Sequence, residues 1–156
     1  MLTAEYPAIN EKNLHTMEEK IMANIHKSIT ELVGHTPLVE LTNFNRNNNL
    51  KATLIGKLEY FNPSGSVKDR AALNMIEKAE AEGKLKPGGT IVESTSGNTG
   101  ISLAAFAAAK GYHLHIFMEP GCTPERVQIL KAYGTTVQYY KDIPGFDEII
   151  ANYGFD

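Results

Sequence analysis

Between residues 67 and 140 the chain alternates between helical and extended apolar patterns, and this alternation limits the fold more than anything else in it. Ala71, Ala72, Met75, Ile76 and Ala79 recur at intervals of three and four, which gives a helix one apolar face. Gly83 stands where a left-handed residue would close that helix. Thr90–Glu93 reads as a short strand, and Ile101–Lys110 as an alanine-rich helix closed by Gly111. Leu114–Met118 reads as a strand, Pro124–Tyr133 as a helix closed by Gly134, and Thr135–Tyr140 as a strand rich in β-branched and aromatic residues. Strands separated by single helices and short connections imply an α/β fold: an open parallel sheet with flanking helices.

The segments before residue 67 are less regular. Residues 1–27 are polar, with Met17 and Met22 as alternative starts, and read as an N-terminal extension; a weak helix over roughly 15–26 is the most they suggest. Residues 28–156 carry the domain. Gly34–Leu41 reads as a turn leading into a strand, because Pro37 pushes Thr36 toward extended geometry. Asn43–Asn49 is expected to be a polar surface loop, and Lys51–Tyr60 a strand.

Composition excludes several classes. With 42% hydrophobic and 21% charged residues, the 156-residue chain matches one ordinary globular domain. A net charge of −3 is too mild to point to nucleic acid or an anionic membrane as partner. No apolar run approaches the ~20 residues that cross a bilayer. Glu5, Glu11, Glu18 and Glu19 near the start argue against a signal peptide. Cys122 is the single cysteine, so no intrachain disulfide forms, which fits a cytoplasmic setting. Its loop position before a helix could acidify the thiol, but a small, partly buried residue is the simpler reading. His113 and His115 alternate along a strand and share a face; without a nearby third ligand they read as strand packing, and no metal is expected.

Two segments carry candidate chemistry. In Asn62-Pro63-Ser64-Gly65-Ser66-Val67-Lys68-Asp69-Arg70 a lysine falls at the start of a helix. There it meets the positive end of the macrodipole, which favours the neutral amine that imine formation requires. Asp69 and Arg70 are expected to pair locally. A solvated helix-start lysine is the plain alternative. In Glu93-Ser94-Thr95-Ser96-Gly97-Asn98-Thr99-Gly100 a hydroxyl-rich loop follows a strand and opens a helix. Free backbone N–H groups, two glycines and the hydroxyls of Thr95, Ser96 and Thr99 suit a carboxylate or phosphate, with the Asn98 amide beside them. An ordinary capped turn is the alternative. The loop is neither a Walker loop nor a dinucleotide fingerprint.

Taken together, Asn62–Arg70 and Thr95–Gly100 resemble the cysteine synthase (O-acetylserine sulfhydrylase) and cystathionine β-synthase family of pyridoxal-phosphate enzymes. Ile29–Leu38, Lys86–Glu93 and Leu130–Gly134 are similar to the same family, so the resemblance runs from about residue 28 to 140. Dehydratases of the wider fold carry Ser-Gly-Asn-His where this chain has Ser96-Gly97-Asn98-Thr99, which favours β-replacement. The resemblance implies a fold-type-II protein, with the small N-terminal domain and the first elements of the larger one. It implies Lys68 as the lysine that carries pyridoxal 5'-phosphate and handles the substrate's α-proton. Asn98 would bond the cofactor's ring hydroxyl, and Thr95, Ser96, Asn98 and Thr99 would hold the substrate carboxylate. The implied activity is that of a transferase of cysteine biosynthesis: acetate leaves O-acetylserine and sulfide takes its place.

Two departures accompany the resemblance. Family chains are considerably longer, and their later half supplies the phosphate loop and the residue that meets the pyridine nitrogen; this chain is expected to be the front half. Met118-Glu119-Pro120-Gly121-Cys122-Thr123-Pro124 stands where the family reads Met-Pro-Glu-Thr-Met-Ser, which leaves the exact substrate open. The second expectation is a catalytically silent half-domain that binds an amino-acid carboxylate, or a partner's C-terminus such as the tail of serine acetyltransferase, in the Thr95–Thr99 loop. A generic phosphate-binding domain is the third. Apolar surface meant for the larger domain would favour a homo-oligomer.

Overall fold

The computed structural model describes residues 25–145. The suggested helix over 15–26 and most of the N-terminal extension lie outside the described residues. Among the described residues no helix is long and apolar enough to cross a membrane.

Among the described residues five strands fall into two sheets. β1 (Leu38–Glu40) and β2 (Ile55–Lys57) form an antiparallel pair in which Val39 faces Gly56. β3 (Thr90–Ser94), β4 (His113–Met118) and β5 (Thr136–Tyr139) form a parallel sheet in that order. The helices are α1 (Thr42–Asn47), α2 (Lys68–Ala81), α3 (Asn98–Lys110) and α4 (Pro124–Ala132), with short 3-10 turns at Ile29–Leu32, Glu59–Phe61 and Tyr140–Asp142.

The α/β alternation from residue 67 matches the sequence expectation, and so does the turn into a strand at Gly34–Leu41; the stretch between them departs from it. Asn43–Asn49 is not a loop: α1 occupies most of it, its last turn held by the Asn48 side-chain amide donating to the Phe44 carbonyl at 2.8 Å. Lys51–Tyr60 yields only three strand residues, because the chain turns into the Glu59–Phe61 3-10 turn directly after β2.

Strand order and handedness decide where the core lies. Each strand lies beside its chain neighbour, and right-handed crossovers place both connecting helices on one face of such a sheet. Leu114, Ile116 and Met118 on alternate positions of β4 are buried on that face, with Phe106, Leu103 and Leu130 from α3 and α4. α3 is buried almost all round, which its alanine-rich sequence permits. α2 packs beside α3 and runs parallel to it. Asp69 near the start of α2 meets Ser102 near the start of α3, and Glu80 near its end meets Lys110 and Tyr112. His115 and Phe117 stack on the opposite face of the sheet, ring centroids 4.6 Å apart. Cys122 is partly buried against the core.

Candidate active site at the ends of the strands

In a parallel α/β unit a helix begins where its strand ends, which puts the start of α3 at the carboxyl edge of the sheet; the start of α2 is held beside it by the Asp69–Ser102 and Ser64–Ser102 contacts. Both candidate segments lie there.

The segment before α2 is a chain of short-range bonds. Asn62 and Gly65 close a tight turn, Gly65 N–H donating to the Asn62 carbonyl at 2.7 Å. Gly65 has φ +78°, a conformation that a side chain would strain. The Ser66 hydroxyl accepts from the Lys68 N–H at 3.2 Å, and the Ser66 carbonyl from the Asp69 N–H at the same distance. Lys68 then stands exposed as the first residue of α2.

Its two successors point in different directions, and neither meets the other. Adjacent helical residues do not share a face. Asp69 lies on the same side as Ala72 and Ile76 and is fully buried. Its carboxylate accepts from the Ser64 N–H at 2.7 Å, from the Ser102 hydroxyl at 2.6 Å and from the Ser64 hydroxyl. Arg70 turns the other way: its guanidinium donates to both Glu59 carboxylate oxygens at 2.9 and 3.0 Å, and to Thr36 Oγ1 at 3.2 Å. The expected Asp69–Arg70 pair is therefore replaced by two separate anchors, one into α3 and one into the β1–β2 unit. The Arg70 N–H donors, helped by the Asn62 amide, hold the Glu59 carboxyl down to about 2.

The loop before α3 is braced from three sides. The Thr95 N–H donates to the Phe117 carbonyl at 3.1 Å, which carries the β3–β4 ladder one residue past β3. Thr95 Oγ1 accepts from the Gly97 N–H at 3.3 Å. Arg126 of α4 donates to the Ser96 carbonyl at 3.2 Å and so ties the loop to the next helix. Ser94 and Tyr140 hydroxyls bond across the ends of β3 and β5. A Cβ at Gly100 would lie 2.8 Å from Thr95 Cγ2, so only glycine lets α3 pass this close beneath the loop. A Cβ at Gly97 would meet nothing within 4 Å, so the mouth of the loop is open. Asn98 and Thr99 begin α3, where backbone N–H groups have no acceptor within the helix.

The five residues singled out from sequence thus gather at one edge of the molecule: Lys68 and Asn98 exposed on neighbouring helix starts, with Thr95, Ser96 and Thr99 around the open loop. The sequence reading missed Ser64, Ser102 and Arg126, which hold these segments in place. Ser102 had a faint signal as the one hydroxyl inside an otherwise apolar stretch of α3. Arg126 had none. Among the described residues no three His, Cys, Asp or Glu side chains gather as a metal site; His115 is engaged with Phe117 instead.

An exposed amine lies beside an open, hydroxyl-lined helix start at the carboxyl ends of parallel strands, the place where α/β proteins bind their ligands. The chain belongs to the pyridoxal-phosphate dependent enzyme family, which it matches over residues 29–152. It is 58% identical over 107 residues to a protein named cysteine synthase from Staphylococcus aureus, covering 69% of this chain and 34% of that protein. Over 131 residues it is 45% identical to cystathionine beta-synthase of Rattus norvegicus, covering 84% of this chain and 23% of the other. The crystal structure of O-ureido-L-serine synthase superposes with a TM-score of 0.69 at 40% identity, over 84% of this chain and 43% of that one. The chain thus spans less than half the length of each of these proteins. Family and fold agree with a fold-type-II, pyridoxal-phosphate-dependent protein of the cysteine synthase kind.

Proposed function

We propose that this chain forms the lysine-bearing part of a cysteine synthase-type transferase that replaces the acetate of O-acetylserine by sulfide. The observation that carries the reading is the joining of the Lys68 turn to the helix behind the Thr95–Thr99 loop through Asp69 and Ser102. The residues present fit the aldehyde and ring-hydroxyl side of pyridoxal phosphate. Lys68 offers an exposed primary amine, Asn98 an exposed amide for a ring hydroxyl, and the space over Gly97 is clear of protein. Bound there, the cofactor supplies the electron sink for loss of the α-proton and of the β-substituent. Lys68 Nζ holds the cofactor and afterwards takes and returns the α-proton. The hydroxyls of Thr95, Ser96 and Thr99, with the first N–H groups of α3, orient the substrate carboxylate. Asn98 fixes the ring.

Addition of pyridoxal phosphate and then O-acetylserine to the purified protein is expected to give a visible absorption band that shifts with substrate. The band is absent in Lys68→Ala. Full sulfhydrylase activity in Lys68→Ala would overturn the assignment. A second reading, a carboxylate or peptide C-terminus binder, is favoured by the completeness of the loop and its Arg126 brace within the described residues. It predicts that Lys68→Ala keeps binding to a peptide ending like serine acetyltransferase, while Thr95→Ala with Thr99→Ala loses it.

A further inference from the structure

We infer that Asp69 is a positioning residue, which locks the Lys68 turn onto α3 so that the amine and the carboxylate loop form one rigid site. The inference rests on Lys68 being the amine that condenses with the cofactor's aldehyde. Asp69 is 0% exposed. A carboxylate removed from water needs compensation by a cation or by several hydrogen-bond donors. Among the described residues no cation bonds it: Arg70 is committed to Glu59 and Thr36. Three donors serve instead, the Ser64 N–H, the Ser64 hydroxyl and the Ser102 hydroxyl.

Proton counting shows how demanding this arrangement is. The Ser64 and Ser102 oxygens lie 2.9 Å apart, and each hydroxyl has one proton. Both point at the same Asp69 oxygen, so the contact between them has no proton of its own and holds only while the acceptor lies between. Removing the carboxylate leaves two hydroxyls and a backbone N–H facing one another in a closed space. The segment that loses its anchor is Ser64–Val67, which ends at Lys68. On the far side Arg70 still ties α2 to the β1–β2 unit, so the lysine would follow that unit and drift from the loop. An alanine in place of Asp69 would therefore act on Lys68 without touching the cofactor.

The amide of Asp69→Asn can keep most of the link. Its oxygen can accept from the Ser64 N–H while its nitrogen donates to a hydroxyl, which the serines can rotate to allow. Structural damage and lost positioning thus make different predictions for the conservative variant.

The test is covalent capture. The purified chain is incubated with pyridoxal phosphate; Lys68 Nζ attacks the aldehyde carbon, water leaves, and added borohydride delivers hydride to the imine carbon, fixing the adduct for mass mapping. Adduct at Lys68 is normalised to adduct at Lys84, which is exposed and remote from Asp69. Asp69→Ala and Ser102→Ala are expected to slow Lys68 capture by about 10- to 100-fold, as misplacing a reacting group does. The double variant is expected to be no slower than the slower single one, because both break one link. Asp69→Asn is expected to recover most of the rate, with Lys84 unchanged throughout. Should Asp69→Ala fail to fold, Ser102→Ala decides alone. Ser102→Ala, folded and capturing at the wild-type ratio, would overturn the inference while leaving Lys68 as the amine. A wild-type chain that captures no more at Lys68 than at Lys84 would overturn the reading of Lys68 itself, and this inference with it.

Discussion

The β3–β5 unit and the β1–β2 unit are built from similarly apolar sequence, yet they hold together by different means. Around β4 and α3 the large side chains are closed in, and Phe106 is 0% exposed. In the β1–β2 unit Leu38 is 65% exposed, Ile55 60% and Tyr60 69%, with Phe44 and Phe61 also more than half exposed. The first unit has a core. The second is an antiparallel strand pair joined through α1, tied to α2 by a polar clamp, Glu59 and Thr36 on Arg70. A layered α/β unit buries its apolar face by its own crossovers, whereas a two-stranded pair needs something laid over it. The site lies on the seam: Lys68 belongs to the closed unit, and its second neighbour is tied to the open one.

The contrast breaks most visibly from the closed side. Phe106→Ala empties the centre of α3 and is expected to cost about 3–5 kcal/mol, seen as a lower denaturant midpoint for the whole α/β unit. A change confined to the β1–β2 signal would show that the closed unit is not the cooperative one. Gly100→Ala is expected to cost about 1–3 kcal/mol, because its methyl group would press on Thr95 and swinging Thr95 aside would break its bond to Gly97. The same variant should weaken carboxylate binding, measurable by calorimetry with serine.

The clamp can be tested by acid. A depressed folded-state value means that the Glu59 contribution is fully present above about 4.5 and is lost as pH falls toward about 2. Over that window the amides of β1 and β2 should lose exchange protection before those of β3–β5; simultaneous loss would argue against the clamp. At the alkaline side Tyr112, raised by its bond to the Glu80 carboxylate, contributes stability that is present below about 10 and is lost as pH rises through its raised value. The smallest expected effect is Ile55→Thr on the exposed strand pair. It should shift stability by no more than about 0.5 kcal/mol, read from a denaturant midpoint.

The α/β half of this comparison was legible in the sequence because its signals are local and repeated. Gly83, Gly111 and Gly134 stand just past their helices with φ of +69°, +76° and +79°. In the other half the turn into β1 was legible but the connection to β2 was not, since a six-residue helix in an Asn-rich stretch has too few turns to show a period. At the site, neighbouring positions in sequence suggested a pair between Asp69 and Arg70. The helical period argues the opposite, because Asp69 falls in step with Ala72 and Ile76, and Arg70 does not. That Asp69 would find Ser64 and Ser102 could not be read from spacing, since it depends on which helix lies alongside. Arg126 is a case of the same kind: its partner is a backbone carbonyl in a loop 30 residues away.

The bond between Asp69 and Ser102 also has a consequence in time. On the ribosome the lysine turn emerges first, and Ser102 follows 33 residues behind it. Until then the carboxylate has only Ser64 to bond, and α2 has no partner helix. The sheet adds its strands in chain order, so each can dock as it appears. A pause in synthesis before Ser102 would therefore leave Lys68 already made while the helix that anchors its turn is still to come.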